Sequence, residues 1–370
     1  MRTITLPLAA CLASALVAVC GARTACADGA RLRVPQDFAT IQAAIDAAAD
    51  GDTIDIARGT YGETLVIAGR EGLTLRARGK VIVDPAGPDD VCLTVTGSTD
   101  ITIERLRFAD AKDGIALDDS VRVAVVRCRF DGFAEYGIRA SACSRLRIER
   151  CAISTVGIAG MVLGDVSPVD DSFVTRTKVR DAERGGIVLG GARNRAERNT
   201  VIDAARHAYE TRLVVASTEN VLADNRARGG DAGFRLHGTA NRIERGSSKG
   251  AVEAGVHVHA DATGSVVIGV GVAKSAADGA LVEGSGNTFT SCAFKKSARD
   301  GMAILGDTNV VEGVRVVGSG ANGLRVGGSA NSFSRVKVKK SVALDLDDPN
   351  GPGANEYADD NRIGTSNLGR

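Results

Sequence analysis

The sequence predicts an all-β chain wound as a single-stranded, right-handed parallel β-helix. Three observations carry that expectation. A glycine returns mostly every 22 to 24 residues, in DGIAL (Gly114), YGIRA (Gly137), AGMVL (Gly160), GGIVL (Gly186), AGFRL (Gly233), AGVHV (Gly255), DGALV (Gly279), DGMAI (Gly301) and NGLRV (Gly323). After it, apolar residues alternate with others, as in Phe234/Leu236, Val256/Val258 and Leu324/Val326, which is the two-residue period of a strand with one buried face. Eight residues beyond the glycine position stands an asparagine (Asn194, Asn220, Asn241, Asn287, Asn309, Asn331), a residue that satisfies bent backbone from one coil to the next.

Taken in chain order, residues 1–27 read as an export leader. Arg2 supplies a positive start, an apolar run follows, and Ala25, Cys26 and Ala27 offer small residues for cleavage, so the exported chain is expected to begin at Asp28. Residues 28–52 are expected to form an N-terminal cap. Ile41, Ala44, Ile45 and Ala48 share one helical face, Thr40 suits the helix start and Gly51 its end. Such a cover would shield the strand edge that a solenoid exposes at its end.

Residues 53–346 carry the repeat. A second column (Leu106, Cys128, Cys151, Thr177, Asn199, Asn225, Gly246, Val270, Cys292, Val314, Val336) follows at steps of 21 to 26 and is expected to point inward. Counting through it gives at least eleven rungs, a rod of about 50 Å at strand spacing. Between Gly186 and Gly233 two rungs must fit, with Arg212 in the glycine's place and a four-residue excess assigned to a projecting loop at ARHAYET. Residues 347–370 lose the period and are expected to fold over the last coil.

Composition excludes several function classes. With 46 basic and 45 acidic residues, losing Arg2 and Arg23 with the leader brings the net charge to −1, which argues for neither nucleic acid nor a membrane surface. No later segment is apolar enough to span a bilayer. Cys92, Cys128, Cys143, Cys151 and Cys292 remain after the leader, an odd set and a poor disulfide framework. Cys128 and Cys151 sit on adjacent rungs, where a bridge is open but not required. The chain has no tryptophan, which argues against an aromatic sugar platform.

The segment VPQDFATIQAAIDAAADGDTIDIARGTYGETLVI (Val34 to Ile67) resembles the opening of secreted β-helix proteins of the pectin-lyase-like superfamily. The later repeats, as in RNTVIDA and ENVLADNRA, resemble those of the NosD type, named for a periplasmic maturation protein of nitrous-oxide reductase. The resemblance runs from about Val34 to Leu346 and implies the fold. It does not imply one activity, because that superfamily hosts lyases, hydrolases, epimerases and non-enzymes. The Asp-Pro-His-Asp signature of mannuronan epimerases is missing, and the nearest string is LDDPNG. IALDDS and LHGT lie too many rungs apart to act as a polygalacturonase pair.

The candidate site is a histidine patch. His257 and His259 are expected to point outward from GVHVH, His259 to stack on His237, and His257 on Arg235. His207, Tyr209 and Glu210 belong to the expected projecting loop beside them. The bland reading is a solvated polar ladder. The functional reading gives Arg235 a carboxylate to hold and His257 or His259 a proton to move. A zinc or copper site would take His237, His259 and Glu283. A second candidate is the basic column of Arg315 and Lys337, which suits an acidic ligand. These features point to an exported protein that binds an acidic polysaccharide through an outward-facing polar face. Modification of that ligand is left open by the sequence, lyase or epimerase chemistry being what an enzyme of this kind would perform. The alternative is a non-catalytic NosD-like factor serving a metalloprotein partner, or a scaffold.

Overall fold

The computed structural model describes residues 29–85, 87–212 and 215–368. The leader expected over residues 1–27 lies outside them. The chain forms a right-handed β-solenoid of about 15 turns, in which each strand pairs in parallel with its counterparts one coil before and one coil after. Three ladders run along it. The first passes from Arg31–Val34 and Thr53–Tyr61 through Arg195–Glu197 and Val221–Ala223 to Glu356–Tyr357. The second includes Ala152–Val156, Thr200–Ala204, Arg226–Arg228 and Lys337–Lys339. The third carries Ala159–Leu163, Gly185–Leu189, His207–Thr211, Ala232–Leu236, Ala254–Val258 and Asp278–Val282.

The helix spans Ile41–Ala47. Thr40 Oγ1 accepts from Ala43 N–H at its start, and Ile41, Ala44 and Ile45 are buried against the opening strands. It ends earlier than expected: Ala48 is already extended at the C-cap, and Gly51 lies beyond it. Glu63 accepts from the N–H groups of Ile41 and Gln42, so a carboxylate occupies the positive end of the helix. At the other terminus, residues 347–368 keep winding. Asn355 Oδ1 receives Asn331 N–H, and Tyr357 stacks on Phe333 at 4.8 Å.

The asparagine column forms the expected ladder. Asn194, Asn220, Asn287 and Asn309 each donate their backbone N–H to the side-chain oxygen of the asparagine one coil on, at 2.8–2.9 Å. Asn309 to Asn331 is the closest of these in spacing, at 2.8 Å. Each such bond satisfies a turn amide that would otherwise be buried without a partner.

The glycine column answers to a different constraint. A Cβ at Gly301 would lie 2.0 Å from Val316 Cγ1 and 2.6 Å from Gly323 O; one at Gly255 would lie 2.1 Å from Val272 Cγ1. Glycine is therefore required by close approach, since neighbouring ladders converge there. One rung departs from it. Gly185 pairs with His207 and His207 with Ala232, which puts Ala208, not Arg212, in the glycine position. Facing that rung the inward column narrows from Val201 to Ala227 and Ser248, making room for the methyl. The rings of Tyr209 and Phe234 fill the widened interior, stacked at 5.2 Å. The four extra residues consequently lie between Thr211 and Ser217, not at ARHAYET. Tyr209 is fully buried and is not on a projecting loop.

This packing predicts that Gly301→Ala destabilises the protein by about 1–3 kcal/mol through overpacking. In a double-mutant cycle read by urea unfolding, Val316→Ala should recover part of that loss. Strict additivity of the two changes would contradict the stated contact.

Candidate functional site

The third ladder builds a cleft of about 380 Å³ on the outer face of the rod. Its apolar wall comes from Tyr136, Ile158, Ala159, Val162 and Val188; its polar wall from Arg184, Arg206, His207, Glu210, Arg212, Arg235 and His237. Val162 and Val188 point outward yet are buried, in a small cluster with Ala159 separate from the main core. The runs MVL and IVL break the strand alternation, which is the sequence signal of a strand covered on both faces.

Two lengthened turns meet beside the cleft. One holds Asp165, the other begins at Arg212, and Arg212 Nη1 lies 2.9 Å from Asp165 Oδ1 across 47 residues of chain. The pair neutralises one of the four arginines of the cleft. Glu210 supplies the cleft's own carboxylate, and burial pushes its pKa up against the opposing charges of Arg235, Arg212 and Arg206.

Elsewhere on this ladder, arginines of the outward column are clamped by buried aspartates one coil earlier. Arg139 Nε sits 2.7 Å from Asp113, and Arg325 Nε 2.9 Å from Asp300. Arg235 occupies the same position, but His207 stands where the aspartate would be. Arg235 Nη1 is 2.7 Å from His207 Nε2. Burial, followed by the charge of Arg235, pushes the His207 pKa down to about 3. The ring is therefore neutral and accepts a hydrogen bond from the guanidinium without cancelling its charge. His207 Nδ1 and Arg235 Nε are buried with no partner among the described residues.

His237 is held by its backbone. Thr211 Oγ1 receives His237 N–H at 2.7 Å and donates to His237 O, while Asn241 Nδ2 also donates to that carbonyl. Gly238 then turns the chain at φ +77, where a Cβ would fall 2.1 Å from Ser217 O. The ring centroids of His237 and His259 lie 4.4 Å apart with the planes tilted by 42°, and both rings direct Nδ1 at Asp261 Oδ1, at 2.8 and 2.7 Å. His237 Nε2 faces Glu210 Oε1 at 3.6 Å. Burial raises the Asp261 pKa, but hydrogen bonds from His237 and His259 outweigh it and the net shift is downward.

The structure thus brings together His207, Glu210, Arg235 and His237 around the cleft. His257 and His259 lie one coil beyond and do not line it. His257, expected on the wet face, is buried, with Nε2 2.9 Å from Glu283 Oε2. Glu283 is therefore engaged by His257 rather than by His237 and His259; Asp261, in the turn after His259, takes the place assigned to it. Tyr209, expected on a projecting loop beside the patch, is a core residue whose hydroxyl donates to Arg226 O. Arg315 and Lys337 do pair on adjacent coils, but on the second ladder, beside Arg335, Asp360 and Arg362, so they form a separate basic surface. Asp261 was legible in HADATG as an acid two residues from a histidine; only the turn showed that it reaches both rings.

Comparison with known proteins supports the architecture. The family described as "Right handed beta helix region" matches residues 92–178. No curated protein matches the sequence detectably. Among solved structures, the receptor-binding domain of the siphovirus 9NA tailspike aligns over 91% of this chain and 75% of its own, with a TM-score of 0.56 and 10% identity. The catalytic domain of a GH87 α-1,3-glucanase, in complex with nigerose, aligns over 90% and 69%, with a TM-score of 0.60 and 11% identity. A mutant of the periplasmic alginate epimerase AlgG aligns over 85% and 77%, with a TM-score of 0.52 and 11% identity. At these identities the likeness is one of fold.

The five cysteines among the described residues are all unpaired and buried, Cys128 and Cys151 included. Cys128 and Cys151 each donate to backbone carbonyls instead of bridging, and burial pushes the thiols up, Cys151 to about 12 and Cys292 to about 11. They are core residues, not reactive ones. The native chain from Asp28 should show no reaction with a disulfide thiol reagent within minutes, and five equivalents once denatured. A fast native equivalent would mean that one thiol is exposed.

Proposed function

We propose that this protein is exported and binds an acidic polysaccharide in the third-ladder cleft, with Arg235 as the fork that holds a sugar carboxylate. The observation that carries this reading is the broken clamp: Arg235 sits where Arg139 and Arg325 meet buried aspartates, yet it faces a neutral histidine. Arg184 and Arg206 add positive charge to the same cleft, against the single Glu210 within it. A planar guanidinium of this kind suits bidentate carboxylate recognition. The apolar wall of Val162, Val188 and Ile158 offers a surface for the less polar face of a pyranose ring. The α-1,3-glucanase in complex with nigerose and the alginate epimerase, both similar in fold, agree with a carbohydrate ligand. The leader-like composition of residues 1–27 supports the export part of this reading.

The test is calorimetric titration with alginate, polygalacturonate and a neutral glucan oligosaccharide. An acidic oligosaccharide should bind, and Arg235→Ala should weaken it about 10- to 100-fold, the loss expected for a charge-assisted pair. Ultraviolet absorbance of unsaturated ends, followed in the same samples, reports lyase turnover. Equal binding of neutral and acidic glycans, or an unchanged affinity in Arg235→Ala, would sink the assignment.

A further inference from the structure

We propose that His237, His259 and Asp261 form a binding site for a divalent first-row transition-metal ion, ligated by the two Nδ1 atoms and Asp261 Oδ1. The site stands beside the glycan cleft and does not depend on its occupant.

The geometry is already convergent. Both nitrogens lie within 2.8 Å of one carboxylate oxygen, and all three candidate ligand atoms are within 4.8 Å of one another. A tetrahedral ion needs such atoms spread to about 3.3 Å, a small outward movement of the two less buried residues. His237 is held from behind, by its backbone bonds to Thr211 and Asn241, whereas His259 and Asp261 sit at the surface and can adjust.

Hydrogen-bond accounting points the same way. His237 has a carboxylate at each ring nitrogen, Asp261 at Nδ1 and Glu210 at Nε2. A neutral imidazole carries one proton, so without an ion one nitrogen lone pair must face a carboxylate oxygen. An ion on Nδ1 removes the conflict: Nε2 keeps its proton and directs it to Glu210. A metal-bound histidine whose second nitrogen donates to a carboxylate is the usual outer-sphere arrangement in such sites. Two imidazoles and one carboxylate select zinc, copper, nickel or iron over calcium and magnesium, which prefer oxygen ligands alone. The remaining coordination positions lie at the solvent side, where His259 and Asp261 are partly exposed.

The experiment is equilibrium dialysis of chelator-stripped protein against Zn²⁺, with Ca²⁺ as the control, in the absence of glycan. One zinc per chain should bind and calcium should not. His259→Ala and Asp261→Ala should each weaken zinc at least about ten-fold, Glu210→Ala about ten-fold, and His257→Ala not at all. Thermal unfolding of the metal-free variants checks that they fold. Electron paramagnetic resonance of the Cu²⁺-loaded protein should show two imidazole nitrogens, and one in His259→Ala. No saturable zinc binding, unchanged binding in both folded first variants, or a copper spectrum without two nitrogens would each overturn the site. Because no sugar is present, these outcomes are independent of the Arg235 titration.

Discussion

Parallel pairing of each coil with the next is the interaction on which the rest of this molecule depends. It places every side chain directly over its counterpart one turn away, at about 4.8 Å. Each position is therefore chosen against two neighbours of its own kind. Asparagine can hand an amide oxygen to the next backbone N–H, phenylalanine can stack on phenylalanine, and glycine can let two ladders converge. The Ala208 rung shows how local the rule is. A single methyl in the glycine column coincides with a loss of bulk at Ala227 and Ser248, and the released volume is taken by Tyr209 and Phe234.

The same stacking organises charge. Along the outward column a buried aspartate of one coil meets an arginine of the next, as in Asp113–Arg139 and Asp300–Arg325. A buried carboxylate held this way also accepts a backbone N–H of the following coil, Tyr136 for Asp113 and Asn322 for Asp300, so it serves the fold. The cleft opens where that device lapses. His207 replaces the aspartate, Val162 and Val188 replace the charged outward residues, and two lengthened turns are tied together by Asp165 and Arg212. Function is read from an interruption of structural regularity.

Much of the fold was legible because a column averages over many coils. The inward cysteines, the asparagine ladder and the stacking of His237 on His259 all follow from counting. Errors arose where the count was locally ambiguous. The four extra residues could be placed before or after the strand His207–Thr211, and putting them before it made Arg212 the glycine equivalent and turned Tyr209 outward. Of Tyr209 and Glu210, only Glu210 reaches the cleft; Tyr209, one step away along the strand, faces the core. Glu283 continues the column of His237 and His259, so the sequence alone points to it as the third ligand. The turn at Asp261 brings a nearer carboxylate that no column contains.

The periodicity of glycine, asparagine and apolar residues was enough, without coordinates, to establish a right-handed coil, its inward columns and a histidine-rich stretch of one ladder. Those are properties of repetition, and repetition is visible in one dimension. Which histidines are buried, that Arg235 lacks a carboxylate clamp, and that Asp261 reaches both His237 and His259 were decided only in three dimensions. They depend on turns, insertions and ring orientations, each of which occurs once, and a feature that occurs once leaves no period to read.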